Sequence, residues 1–451
     1  MIVVKFGGTS VGDAAAIRRA TEIVRGRLER DPIVVVSALA GTTNQLIALA
    51  QQAAKGQLIG ALRAVETLRE RHLEQATILL GEDDTARELC AELSATFDEL
   101  AHLAEALSVL GDLTPRSQDA IAAMGEMLSS QLVVAAMRRE GVPAVHVDAR
   151  EVVVTDDNFG SAEPQLDAIA SAARDCVLPV VRRREVPVLG GYIGATPEGI
   201  TTTLGRGGSD YSAALVGAVL GAESIEIWTD VDGMLTADPR VVDGARLIER
   251  IRFDEASELA SFGAKVLHPS TIAPAVERGI PVWIFNSRNP GGCGTLITHE
   301  APRRAVSAIA SRTGIVLLQI RTPRMLLTHG FMRRVFDVFE RHRISVDVVA
   351  TSEVSVAVTF DDAADLDELL VDLRELGDVS LARGKGVLAV VGAAIGDDPV
   401  AMGRALAGLE GMRVHLVSLS AAGINLSIVV DAENTAPAMK RLHEAFFGGR
   451  Q

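Results

Sequence analysis

The chain opens on Ile2-Val3-Val4, an apolar run with no polar alternate, and Lys5-Phe6-Gly7-Gly8-Thr9-Ser10 follows at once. A strand that is apolar on both faces must be covered on both faces, which is the condition of a parallel sheet in an α/β protein. The residues after it then lie at the carboxyl end of a buried strand, where open α/β sheets bind ligands. Gly7 and Gly8 let backbone amides come close to an anion, Lys5 adds a cation, and a helix expected from Asp13 adds its positive end. A polyphosphate is the natural ligand.

Other nucleotide loops do not fit. The spacing from Gly7 to Gly12 mimics the start of a Walker A loop, but Asp13 stands where that loop needs lysine. The chain has no His-Arg-Asp or Asp-Phe-Gly sequence, and Gly205-Arg206-Gly207-Gly208-Ser209-Asp210 lacks the last glycine of a dinucleotide fingerprint.

Strand and helix patterns alternate from the start: 2–4, 14–28, 33–37 after the Asp31-Pro32 break, then a helix from Gln45. Residues 52–139 are rich in Ala, Leu and Glu at helical spacing, broken at Gly81 and Thr114-Pro115, and read as a helical insertion. Strands are expected again at 144–147, 152–155, 186–189, 224–228 and 282–285. With 451 residues, 48% of them hydrophobic, the chain has material for a large core and about three domains. A formal charge of −15 argues against nucleic acid as a partner, because that affinity comes from clustered Lys and Arg. Cys90, Cys176 and Cys293 are scattered, with neither disulfide nor zinc spacing. No leader pattern or bilayer-length apolar run is read, so a cytoplasmic protein is expected, with no membrane partner.

After Arg304 the order becomes β-α-β-β-α: a strand at 315–320, a helix at 331–340, strands at 346–350 and 354–360, and a helix from Leu366. It recurs at 387–391, 400–409, 414–419, 426–430 and 435–446. Two ferredoxin-like units explain this. The second runs out of residues before a closing strand, so the two are expected to share strands, and half-open sheets of this kind pair into dimers. The expected domains are 1–304, 305–384 and 385–451.

Three further stretches accompany the opening loop. Residues 201–210 set Arg206, backbone donors and Asp210 in one turn leading into a helix; a guanidinium there can grip a carboxylate with two hydrogen bonds. Trp228-Thr229-Asp230-Val231-Asp232-Gly233 follows a strand and leads to Thr236-Ala237-Asp238-Pro239-Arg240, while Phe262-Gly263-Ala264-Lys265-Val266-Leu267-His268-Pro269 supplies a second lysine. Singly, these are an ordinary turn, helix caps and a solvated lysine.

Taken in order, and with Leu113-Thr114-Pro115-Arg116 and Glu126, they resemble the aspartate kinases of the amino-acid kinase superfamily over essentially the whole chain. The two C-terminal repeats resemble ACT regulatory domains, and the likeness is to the monofunctional, lysine-sensitive branch, with no homoserine dehydrogenase part expected after Gln451. The resemblance implies an α/β, three-layer amino-acid kinase fold with a mainly parallel sheet, plus two ferredoxin-like ACT domains. It implies transfer of the ATP γ-phosphoryl group to the side-chain carboxylate of L-aspartate, the first step toward lysine, threonine and methionine. It also carries residues over. Lys5 and Asp210 would be catalytic, and Thr43, Glu126, Arg206, Gly207, Gly208 and Ser209 would bind aspartate. Lys5, Phe6, Gly7, Gly8, Ser37, Thr229, Asp230, Leu235, Arg240, Lys265 and Val266 would bind ATP, with Leu235 where the family commonly has a tyrosine near the adenine. Mg2+ would arrive with ATP and have no dedicated protein site. On the residues alone, Glu126 in a helical stretch would face solvent; the resemblance to the family's Gly-Glu motif gives it a role.

The first repeat resembles a lysine effector pocket at Met325, Gly330, Ser345, Val346, Asp347, Ser352 and Glu353, where two carboxylates suit an ε-ammonium. Arg333 and Arg334 depart from that pattern and read as solvated helix positions. A homodimer through the ACT domains, or a tetramer, is expected.

Overall fold

The computed structural model describes residues 1–262, 269–326, 329–363 and 366–448. By internal contacts they form two compact units, Met1–Met234 with Val266–His299 and Leu235–Lys265 with Glu300–Gln451. Residues 235–262 therefore group with the C-terminal part, whereas a boundary at 304 groups them with the N-terminal part.

In the first unit the sheet runs Ala144–His146, Val186–Gly190, Pro32–Val36, Ile2–Phe6, Ile225–Thr229, Val282–Asn286, Thr295–Ile297. Its pairings are parallel except the last, between Val282–Asn286 and Thr295–Ile297. Ile2–Phe6 and Pro32–Val36 are buried at every residue, which is why their sequences do not alternate. The chain goes from Ile2–Phe6 to Pro32–Val36 on one side and only later to Ile225–Thr229 on the other, and this reversal of strand order opens a crevice at the carboxyl ends of the central strands. Residues 152–155, expected as a strand, make only isolated bridges, Val154 with Ala195 and Thr155 with Pro164. The Val153 amide is instead turned back onto Ala149 O (2.7 Å), so the β-branched run fills core without joining the sheet.

After Thr42–Ala54, the helix expected from Gln45, three helices, Leu58–Leu80, Asp84–Leu110 and Pro115–Arg139, form the insertion expected over 52–139. Thr114 caps the last through Ser117 N, and Pro115 occupies its first turn, where a missing N–H costs nothing. Pro115–Arg139 is long and apolar enough to cross a membrane by composition, yet most of its surface is buried inside this unit. Its apolar character is that of a core helix.

The second unit holds one antiparallel sheet in the order Val349–Thr351, Ser355–Asp361, Ala308–Arg321, Asp378–Val391, Asn425–Asp431, Val414–Leu419. Ala308–Arg321 and Asp378–Val391 are 14 residues each and pair from Ala308↔Val391 to Arg321↔Asp378, with irregularities near Ile315. One end of this ribbon packs under Phe331–Arg341 and Asp367–Arg374, the other under Pro399–Ala407 and Thr435–Phe447. The expected sharing takes this form: residues 308–313 close the sheet of the second repeat, and 378–382 that of the first.

Candidate active site

A cavity of about 660 Å³ lies at the carboxyl ends of the central strands of the first unit. Lys5, Gly8, Ser37, Thr43, Glu126, Arg206, Gly207, Gly208, Ser209 and Asp210 all line it, so loops up to two hundred residues apart in sequence converge as expected. Lys5 Nζ stands 2.5 Å from Asp210 Oδ1, and Lys5 is only 7% exposed. That ion pair joins the first strand to the first turn of Gly208–Leu220, whose positive dipole end favours an anion at the same spot. A Cβ on Gly208 would fall 2.6 Å from Tyr192 Cδ2, so only glycine lets this helix begin so close to the wall.

The helix N-termini at the cavity are those of Gly208–Leu220 and Thr42–Ala54, not the one after Asp13, and Pro115–Arg139 reaches it with Glu126. Asp13 caps its own helix by accepting from Ala16 N at 2.7 Å, which spends that helix end locally. Gly7 donates its amide to Trp228 O (3.0 Å), which fixes the loop to the neighbouring strand and leaves Gly8 at the cavity. Phe6 is wholly buried in the core, stacked near Trp228.

Glu126 corrects the solvent-facing expectation. It is 3% exposed, and burial pushes its carboxyl up to about 8, only partly opposed by the Ala38 and Glu126 backbone and by Lys5. Its Oε2 has no hydrogen-bond partner among the described residues. A buried acid of this kind, lining a cavity, is an acceptor waiting for a cation. Arg206, on the opposite loop, is exposed and makes no hydrogen bond or ion pair with a described residue. The cavity thus offers one acidic and one basic pole for a ligand, beside a lysine and amides for a phosphoryl group.

Sequence reading missed part of this wall. Residues 38–41, Asn44, Ile47, Gly160 and Tyr192 also line the cavity. Tyr192 carries the one available signal, a non-glycine residue in a turn at φ +67, but that is visible only in structure. Burial pushes its phenol up.

Thr229 and Asp230 end the strand that neighbours Ile2–Phe6, with Thr229 Oγ1 on Asp230 Oδ1 at 3.3 Å, and lie outside the cavity lining. Leu235 and Arg240 belong to the second unit, where the Asp238 carboxylate accepts from Arg240 N (2.9 Å), Nε (3.0 and 3.2 Å) and Nη2 (2.6 Å). Lys265 and Val266 lie outside the described residues. In the first repeat, Asp347 is ion-paired with Arg312, and its carboxyl is raised by burial against that pairing. Met325 and Val346 are half-buried there, Gly330 caps Phe331–Arg341, and Ser345, Ser352 and Glu353 are exposed. Arg333 is also exposed and, among the described residues, pairs with Asp337 one turn on, the solvated role read from sequence.

Residues 1–286 match the model of the amino acid kinase family. Lysine-sensitive aspartokinase 3 of Escherichia coli K12 is 37% identical over 99% of both chains, and chloroplastic aspartokinase 3 of Arabidopsis thaliana is 33% identical over 99% of this chain and 81% of its own. The solved E. coli aspartokinase III with aspartate and ADP, described as the R-state, superposes at a TM-score of 0.85 with 37% identity, covering 99% of this chain and 100% of that one. The same enzyme with lysine and aspartate, described as the T-state, gives 0.82 at 36% identity, with 99% of each covered. Sequence, site and fold agree: this chain belongs to the amino acid kinase family, as an aspartokinase.

Proposed function

We propose that this chain transfers the γ-phosphoryl group of ATP to the side-chain carboxylate of L-aspartate, giving 4-phospho-L-aspartate, and that lysine restrains it through the C-terminal unit. The observation that carries the reading is the pair of opposed poles, Glu126 and Arg206, in one cavity with the Lys5–Asp210 ion pair.

A carboxylate nucleophile and a triphosphate repel each other, and phosphoryl transfer leaves a protein little to do but align them and neutralise charge. Lys5 and the Gly8 amide take the transferring phosphoryl, with Ser37 beside them and the Gly208–Leu220 dipole behind. Asp210 holds the Lys5 ammonium in place. Arg206 takes a carboxylate of aspartate, Glu126 its α-ammonium, and Thr43 and Ser209 supply hydrogen bonds. Glu126 releases its proton as the ammonium arrives, since a cation favours the ionised form. Thr229, Asp230, Leu235, Arg240, Lys265 and Val266 are assigned to the nucleotide from the family pattern.

The described residues contain no group of three or more acidic, histidine or cysteine side chains gathered for a metal. Mg2+ would come on the phosphates and neutralise their charge, and Asp210, whose carboxylate lines the cavity beside Lys5, would help to hold it there. For lysine, the assigned contacts are Met325, Gly330, Ser345, Val346, Asp347, Ser352 and Glu353; an ε-ammonium at Asp347 competes with Arg312. A dimer through the edge strands fits the exposed apolar Val414, Val417 and Leu419. Three free cysteines agree with a reducing cytoplasm.

The test is ADP release coupled to hydroxylamine trapping of the acyl phosphate, across aspartate, glutamate and N-acetylglutamate, with and without lysine. Trapping with aspartate alone, reduced by lysine, is expected. Trapping with the acetylated substrate would sink the role of Glu126, which requires a free amine.

A further inference from the structure

Asp119 is 1% exposed, lies on the same helix as Glu126, and is absent from the cavity lining. Its Oδ2 accepts from Gly160 N (2.8 Å) and Thr203 N (2.9 Å), and its Oδ1 from Thr203 Oγ1 (2.7 Å). It makes no ion pair with a described residue; its three donors come from the loop at Gly160 and from Thr203, the last residue of the strand Thr201–Thr203 that runs into the loop of Arg206. Those loops are the cavity wall: Gly160 lines it, and Thr203 is three residues before Arg206. They touch each other as well, through Ala162 N to Thr203 O (2.9 Å), and a Cβ on Gly205 would stand 3.2 Å from Gly160 O.

We infer that Asp119 is a positioning residue that sets Arg206 at a fixed span from Glu126 and so tunes the site to the length of the amino-acid substrate. The inference rests on the assignment of Arg206 and Glu126 to aspartate. Seven residues apart on one helix, Asp119 and Glu126 share a face two turns apart. The helix acts as a rigid ruler. One mark carries the acidic pole itself, and the other clamps the loop that carries the basic pole, across Leu204 and the left-handed Gly205 (φ +75).

Hydrogen-bond chemistry separates this role from a role of charge. In Asp119→Asn the amide oxygen still accepts from both backbone N–H groups, and its NH₂ donates to the Thr203 hydroxyl, which turns to accept. In Asp119→Ala three buried donors lose their acceptor, a loss of the size that changes an equilibrium about tenfold or more.

The experiment is steady-state kinetics with each substrate varied. Asp119→Ala should raise KM for aspartate about tenfold or more with KM for ATP within about twofold, Asp119→Asn should stay within about threefold of the parent, and Thr203→Val should raise the aspartate KM about threefold. An unchanged aspartate KM in Asp119→Ala, equal changes in both KM values, or Asn as damaging as Ala overturns the inference. If Asp119→Ala does not fold, Thr203→Val decides it by the same selective rise or its absence. Arg206→Ala is measured alongside: if it too leaves the aspartate KM unchanged, the site reading fails, and if it alone raises KM, only the ruler fails.

Discussion

The C-terminal sheet and the crevice of the N-terminal sheet treat charge in opposite ways. In the C-terminal unit the carboxylates near the sheet are answered: Asp431 by Lys385 (2.5 Å) and His415 (2.9 Å), Asp347 by Arg312, and the fully buried Glu255 by Ser307 Oγ (2.6 Å) and Ala393 N (2.8 Å). At the crevice of the N-terminal unit, Glu126 Oε2 and the Arg206 guanidinium have no partner among the described residues. Antiparallel strands whose polar groups find each other make a frame. Parallel strands that end at one edge bring unsatisfied groups together, and ligand completes them.

The comparison breaks most sharply at Lys5. Lys5→Ala is expected to lower kcat by about 10³-fold, the scale of removing a preorganised charge from a transition state, while lysine binding by calorimetry stays as in the parent. Retained turnover would remove the contrast altogether. Next in size, Arg206→Ala should raise the aspartate KM about a hundredfold, the worth of a charged two-point contact, with little change for ATP.

Glu126 makes the comparison a matter of pH. Because its carboxyl is raised to about 8 from an ordinary 4.5, the free site is protonated below that value, and kcat/KM for aspartate should climb with pH until about 8. Glu126→Gln should be weak and flat over the same range. Stability runs the other way: between 4.5 and about 8 the folded state holds a proton that the unfolded state has lost, so this residue lowers stability increasingly as pH rises. Glu126→Gln should therefore melt higher than the parent at pH 8, by roughly 1–3 kcal/mol in denaturant titrations, and no gain would mean that Glu126 is not strained by its burial. The smallest effect belongs to the frame. Asp431, held low chiefly by the Lys385 hydrogen bond and then by that of His415, contributes above the ordinary carboxylate range and loses this as pH falls. Asp431→Asn should leave both KM values and kcat unchanged, with a small drop in Tm.

What the sequence made legible were features with a local cause. Ile2-Val3-Val4 reads as a doubly covered strand because every residue is apolar, and the missing closing strand of the second repeat pointed to sharing because a sheet cannot end with its core open. Glu126 and Asp119 were not legible from pattern. In a helix that is buried nearly all round, a carboxylate at one position looks like any surface residue, and only the resemblance singled out Glu126. Asp119 had no such help, since its partners are two backbone amides and one hydroxyl 41 to 84 residues away. The β-branched residues 152–154 misled for a related reason: their side chains are needed by the core, while their backbone is tied to a tight turn.

The 14-residue ribbon strands have a mechanical meaning. Each spans about 45 Å at the usual rise of a strand and is a structural member of both repeats, so neither repeat has a complete sheet without the other's strand. A chain truncated after the first repeat would strip residues 308–313 of their neighbour and leave one end of a 14-residue strand unpaired, so cutting away one half of this sheet frays the other.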